Sequence, residues 1–362
     1  MKGLLFILAL VLHVHAGERI NAALDSARAV YAARGERTTV LIDPGTYQEQ
    51  LTIDVPGLKM KNRSKKEPVR ITWYYGHGYQ YRSMGETVNY GGSRTRRWNA
   101  SVLVTAPDFY AENIIFENSF NLYVSEKEAA DSLYINPEYT AREMPVRPKE
   151  AGSTEVQKKM YRERAAAISF TETARNAHLK NCTAVGRQDV LYGDQGASVY
   201  WEKGTLKGGV DFIFGAMTFV ADRALIVANI NEENGDKCYI SAGRSGGDQA
   251  PTEQTRGMLF YQCHIQSPIP GQVWLARPWR PWGETVWAYT TWDEGILNPE
   301  VWSTGLIQKR PDFNPEHPCP NSYEYRSQDA SKNRPAWVTI LAKPQLPDGT
   351  KLNPRAWLTS RP

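Results

Sequence analysis

Two aspartates stand inside apolar, β-prone runs. Asp189 lies in Gly186-Arg187-Gln188-Asp189-Val190-Leu191-Tyr192, and Asp211 in Gly209-Val210-Asp211-Phe212-Ile213-Phe214-Gly215. A carboxylate among Val, Leu, Ile and Phe must be paired or put to use, because burying a bare charge is costly. Aspartate also closes strands as a turn residue, so either one alone suits a structural role. As a pair they suit acid–base or nucleophilic work. Two close carboxyls cannot both ionise freely, so one holds a proton while the other stays charged. That chemistry requires the two to be neighbours, and this depends on the elements that carry them.

Those elements read as short strands. Residues 20–33 carry apolar side chains at helical spacing, and this is the one substantial helix near the start. Thr38-Thr39-Val40-Leu41-Ile42 reads as a strand, closed by Asp43-Pro44-Gly45. Further runs follow at 69–73, 101–104 and 113–116. A later series begins at His178, Ser198, Met217, Cys238 and Met258, with start-to-start spacings of 20, 19, 21 and 20 residues. Short strands recurring at about 20 residues with Gly, Asn and Asp turns match the coil of a parallel β-helix. A sandwich would show turn signals about every 8–12 residues. The predicted fold is therefore all-β, a parallel β-helix with a short N-terminal helix. A polar stretch at about 125–161 reads as a long loop with room for a short helix, and the Pro-rich chain after about 312 as an irregular tail.

In such a solenoid, residues one coil apart lie about 4.8 Å apart on adjacent strands. Asp189 and Asp211 are 22 residues apart, close to one coil, and so should be neighbours on one face. Arg277, in Leu275-Ala276-Arg277-Pro278-Trp279, lies 66 residues beyond Asp211, about three coils by this period. It would keep one carboxylate ionised, and Trp279 would set a flat ring beside the site.

The composition bounds the setting. The chain has 362 residues and a net charge of +4, which permits an acidic substrate but gives no case for nucleic acid. Met1-Lys2 precedes an apolar run to about Leu12, and Val14-His15-Ala16 before Gly17 reads as a cleavage site. This predicts a signal peptide over 1–16, a single domain over 17–362, and secretion. The run is too short to span a bilayer, so no membrane partner is expected. Four cysteines (Cys182, Cys238, Cys263, Cys319) would then meet an oxidising compartment, with three possible pairings and no basis for choosing among them. Sequons stand at Asn62, Asn99 and Asn181, the last in a β-prone run where burial is expected. The 11 Trp and 19 Tyr suit a carbohydrate groove as well as a core.

The ordered motifs resemble those of the pectin methylesterase (pectinesterase) family. They are Gly45-Thr46-Tyr47-Gln48-Glu49, Gly186 to Leu191, Gly209 to Gly215, and Leu275 to Trp279, and the resemblance spans about residues 20 to 330. It implies a right-handed parallel β-helix that hydrolyses methyl esters of homogalacturonan to carboxylates and methanol, without metal or cofactor, as a monomer. By that resemblance Asp211 is the nucleophile, Asp189 the acid and base, and Gln188 the oxyanion donor. Arg277 orients Asp211. Trp279, Tyr192, Val210 and Phe214 are candidates to bind substrate.

The chain departs from the family at one place of consequence. Where the family has a Gln-Ala-x-Ala stretch, this chain has Arg164-Ala165-Ala166-Ala167, so Arg164 is the candidate replacement donor. Arg187 and Ala276 are milder departures, expected to reshape the groove. An esterase of the same fold acting on a non-pectin ester, a pectin-binding protein with weakened catalysis, and a polysaccharide lyase or hydrolase are the competing readings. Gly243-Arg244-Ser245-Gly246-Gly247 matches the Gly-x-Ser-x-Gly pattern, but Asp248 to Pro251 is a poor start for the helix that motif needs. Basic clusters at 61–66 and 94–97 read as solvated faces.

Overall fold

The computed structural model describes residues 10–77, 79–84, 99–131, 133–135, 145–244, 256–309, 313–316, 318–330 and 332–359. Each short apolar run hydrogen-bonds in parallel to the equivalent run of the next coil. Among the described residues this builds parallel sheets of eleven, eight and seven strands. The first sheet runs from Leu10–Val14 to Thr339–Ile340, the second from Gly45–Gln48 to Thr291–Trp292, and the third from Leu51–Ile53 to Val273–Ala276. The architecture is the expected all-β parallel β-helix.

Inward side chains stack in columns along the axis. In the first sheet the register aligns Leu179, Trp201, Ala221, Phe260 and Trp287, all fully buried. The small Ala221 sits between large neighbours, and the Phe260 and Trp287 rings stack at 3.9 Å. Alternating sizes fill such a core without voids. In six successive coils the bend from the first sheet to the second falls on one left-handed residue: Asn113, Asn181, Lys203, Arg223, Gln262 and Tyr289, with φ between 50° and 60°. Asparagine adopts this conformation readily because its side chain can hydrogen-bond locally. Asn181 donates to Asn113 at 2.6 Å across one coil and is exposed, contrary to the burial expected of its sequon.

The regular series needs one correction. The strand Cys238–Gly243 belongs to the third sheet, and the first-sheet strand after Thr218–Asp222 is Met258–Tyr261. Coil lengths in fact grow. Leu191 pairs with Ile213, 22 residues on; Ile213 with Ser241, 28 on; and Ser241 with Ala276, 35 on. Arg277 is thus two coils beyond Asp211, not three. The period misled because a longer coil happened to place a third-sheet strand near the expected interval.

Helix α1 (Ile20–Arg34) packs Ile20, Leu24 and Ala27 into the core. Its first amides donate to Glu49, from Ile20 N at 2.7 Å and Asn21 N at 3.1 Å. A carboxylate satisfies the unpaired donors of a helix start and complements its dipole. The glutamate of Gly45 to Glu49 is therefore structural. Just before α1, Leu10–Val14 pairs over five residues with Thr38–Ile42, and Val14 is buried. The end of the run read as a leader thus acts as a strand.

The segment read as a loop at 125–161 has structure of its own. It carries helix α2 (Glu126–Ala130), capped by Ser125, and Leu133–Ile135 pairs antiparallel with Tyr79–Tyr81. A buried ion pair fixes it: Arg147 Nε donates to Glu128 at 2.9 Å while lying 3.7 Å over the Phe120 ring, and Tyr81 donates to the same carboxylate at 2.6 Å. Burial of that pair was invisible in a run rich in charge. At the other end, Leu346, Leu352 and the fully buried Trp357 of α3 (Pro354–Thr359) cover Val220, Leu259 and Val286 on the outer face of the first sheet.

All four cysteines are buried free thiols, so none of the three pairings forms. Burial pushes Cys182, Cys263 and Cys319 up to about 12. Ser245 and the cluster at 94–97 lie outside the described residues. No described helix is long and apolar enough to cross a membrane.

Candidate active site

The turn from the second sheet to the third carries the two aspartates. Gln188 bridges Val210 in parallel register, and Asp189 N donates to Val210 O at 3.1 Å. Asp189 and Asp211 therefore occupy the same position in successive coils. Both hold left-handed backbone, with φ of 56° and 48°. Aspartate tolerates this better than most residues, and strain of this kind gathers at functional sites. Phe212, one residue on, turns into the core and is 1% exposed, which fixes the backbone beneath Asp211.

The environments of the two carboxyls differ. Arg277 grips Asp211 in a two-point fork: Nε donates to Oδ1 at 2.9 Å, and Nη2 to Oδ2. Such bidentate pairing is both strong and orienting. Burial raises the Asp211 pKa, and Arg277 opposes that rise. Asp189 is 5% exposed, and no described side chain forks onto it. Burial, then the charge of Asp211, raises its pKa well above the ordinary carboxylate range, with Arg164 and Arg277 opposing and Glu163 adding. The order follows from these neighbours: of the two, Asp211 is favoured to ionise first.

Gln188 is partly exposed beside Asp189. Arg164 lies one coil upstream: Ala165 N donates to Gln188 O at 3.3 Å, and Arg164 Nε donates to Glu163 at 3.1 Å. Tyr192, Phe214 and Trp279 gather on the outer face of the third sheet, apart from the main core. The first two rings are 4.8 Å apart, and Phe214 and Trp279 6.0 Å apart. Val210 is partly exposed between the aspartates. Arg187 departs from expectation. It is buried and turned away from the groove, donating to Asp236 at 2.7 Å and to Gln157 at 3.1 Å. A long cation next to Gln188 suggested a groove residue, but a buried acceptor 49 residues on takes it inward.

Sequence reasoning missed Glu163, Tyr239 and Trp274. Glu163 stands next to Arg164 and is buried, which nothing in its neighbours reveals. Tyr239 and Trp274 follow Asp211 in register only once the 28- and 35-residue coils are known.

Fold and site together define a parallel β-helix with a carboxyl dyad at one turn, one member held by arginine and the other buried. A sequence model described as Pectinesterase matches residues 152–311, the span that holds all of these groups. Pectinesterase 31 of Arabidopsis thaliana is 28% identical over 199 residues, covering 55% of this chain and 47% of that protein. Pectinesterase 2 of Citrus sinensis is 23% identical over 285 residues, 77% of this chain and 44% of that protein. The chain spans about a quarter to a half of the length of the first curated relatives it matches. A pectin methylesterase structure from Aspergillus niger superposes with a TM-score of 0.62 at 19% identity, covering 97% of this chain and 93% of that one. One of a pectin methylesterase in complex with hexasaccharide VII gives 0.62 at 21% identity, 88% of each chain. The chain is thus similar to pectinesterases over its central part, and it shares the right-handed parallel β-helix of the pectin methylesterase structures.

Proposed function

We propose that the protein is a pectin methylesterase that uses Asp211 as nucleophile and Asp189 as acid and base. The observation that carries this reading is the unequal treatment of two adjacent carboxyls: Arg277 forks onto Asp211, while Asp189 is buried beside that charge. An Asp211 oxygen attacks the carbonyl carbon of a galacturonate methyl ester, forming a tetrahedral oxyanion. Gln188 donates to that oxyanion, and Arg164 supplies a second, charged donor in place of a neutral glutamine. Asp189 gives its proton to the departing methoxyl oxygen, and methanol leaves an acyl-Asp211 anhydride. Asp189, now a carboxylate, takes a proton from water. The resulting hydroxide attacks the acyl carbon, and Asp211 is released with the free galacturonate. Trp279, Tyr192, Phe214 and Val210 form the surface against which the sugars lie. None of these steps calls on a metal or cofactor.

Methanol release from methylated pectin by the wild type, and its loss in Asp211→Ala, tests the reading. Full activity in Asp211→Ala sinks the mechanism. The replacement of a neutral donor by Arg164 favours a second reading, an esterase of the same fold with another ester. Turnover of small esters with none on pectin selects it.

The same reading includes export and action as a monomer on the polysaccharide. Cleavage after Ala16 would remove the strand Leu10–Val14 and bare its partner Thr38–Ile42. The N-terminal residue of the exported protein, read by mass spectrometry, decides between leader and strand.

A further inference from the structure

We propose that Tyr239 is a positioning residue whose ring holds the Arg277 guanidinium in place on Asp211. The proposal rests on the reading of Asp211 as nucleophile and extends it to a residue outside the family motifs. The third-sheet register sets Tyr239 at the position of Asp211 one coil on, and Trp274 at the same position a further coil on. Arg277 starts from the Trp274 coil and must cross the Tyr239 coil to reach Asp211. It does so over the Tyr239 ring, with its Cζ 4.1 Å from the centroid. A cation at that distance is attracted by the ring face, more so where water is excluded.

The ring is itself held. Trp274 stacks on it at 4.9 Å and 30°. Trp274 is 4% exposed, donates Nε1 to Glu300 at 3.2 Å, and carries Lys237 Nζ 5.4 Å from its ring centroid. The Tyr239 backbone brackets Asp211, with its N–H donating to Gly209 O at 3.0 Å and its carbonyl accepting from Phe212 N at 3.4 Å. The rigid stack is Trp274, Tyr239, Arg277, in order, ending on the nucleophile. Without the ring, the guanidinium gains freedom and water, and its hold on the ionised form of Asp211 weakens. Protonation of Asp211 then moves to higher pH. Arg277 acts on Asp211, and the charge of Asp211 in turn acts on Asp189, Cys238 and Tyr239. Arg164, Glu163 and Arg277 act on Asp189, and Arg277 and then Glu300 on Tyr239. All but Tyr239 stay in the variants below.

The test compares Tyr239→Phe, which keeps the ring, with Tyr239→Leu, which removes it. Tyr239→Met serves if the leucine variant fails to fold. The Asp211 carboxyl is followed by 13C NMR titration, its signal identified by loss in Asp211→Asn. In Tyr239→Leu its midpoint should rise by about 0.5 to 1 pH unit, the size expected for losing a partly desolvated cation–ring contact. The acid limb of kcat/KM on methylated pectin should move by the same amount. There kcat should fall about tenfold with little change in KM, because the contact acts on the nucleophile and not on substrate binding. Tyr239→Phe should match the wild type in all three. An unmoved titration in the leucine variant, or equal effects in both variants, overturns the proposal. Should the wild type release no methanol from pectin, the functional reading fails, and the titration still decides the role of Tyr239.

Discussion

Two aspartates in this molecule meet arginine in opposite ways. Asp236 is saturated: Arg187 and Arg162 both donate to it, and so does the backbone N–H of Asn231 at 3.0 Å. Its side chain is fully buried, and it ties the segment before Arg164 to the loop before Cys238. Asp211 has one arginine, a side chain 24% exposed, and another carboxyl as its neighbour. A carboxylate that only holds a fold is surrounded by donors until no lone pair faces water. One that attacks a substrate keeps an open side and a charge not yet cancelled. On the proposed mechanism, the count of donors, more than the presence of an arginine, sets Asp211 apart from Asp236.

The contrast breaks most visibly at Asp211. Asp211→Ala should lower methanol release about 10⁴-fold with the fold intact by circular dichroism, as expected when a nucleophile is removed from a preformed site. Asp236→Ala should do the reverse. It leaves Arg187 and Arg162 buried without their acceptor, and should cost about 3–5 kcal/mol of stability. Thermal unfolding measures that loss, and activity at low temperature should persist in the molecules that fold. Arg164 lies between these poles, at the edge of the site with Glu163 as partner. Arg164→Ala should reduce kcat about tenfold to a hundredfold, with Arg164→Gln recovering part of it. Wild-type rates in both variants would remove Arg164 from the mechanism.

The smallest effect concerns Asp189 and stability. Its pKa in the fold is raised, so as pH climbs from the ordinary carboxylate value towards the raised one, the unfolded chain gives up its proton first. Wild-type stability should therefore contain a term that is full at low pH and lost as pH rises through that window. Asp189→Asn lacks the term. Its melting temperature should gain on the wild type between about pH 4 and neutrality, and a gain in the opposite direction would place the charge on the wrong aspartate.

Much of this was written in the chain. The strand runs and the one-coil separation of Asp189 and Asp211 followed from residue type and interval. The pairing of Arg277 with Asp211 was implied by the family resemblance, and its interval was misread. What escaped depended on contacts between distant residues. Nothing near Arg187 announces Asp236, and nothing near Arg147 announces Glu128. Coil length was misread where the chain lengthens between Ile213 and Ala276, which hid Tyr239 and Trp274 behind a false period. The polar 125–161 stretch read as a loop, and pairing allowed its Arg147 and Glu128 to be buried.

The unequal coils carry a final consequence. Register on the third sheet holds while the chain between equivalent residues grows from 22 to 35. The core columns fix the pitch, and the extra chain is shed at the turns. Insertions on that side can alter the walls that a substrate meets without moving the dyad. The same freedom leaves the reaction and the choice of ester open to change at separate places along one chain.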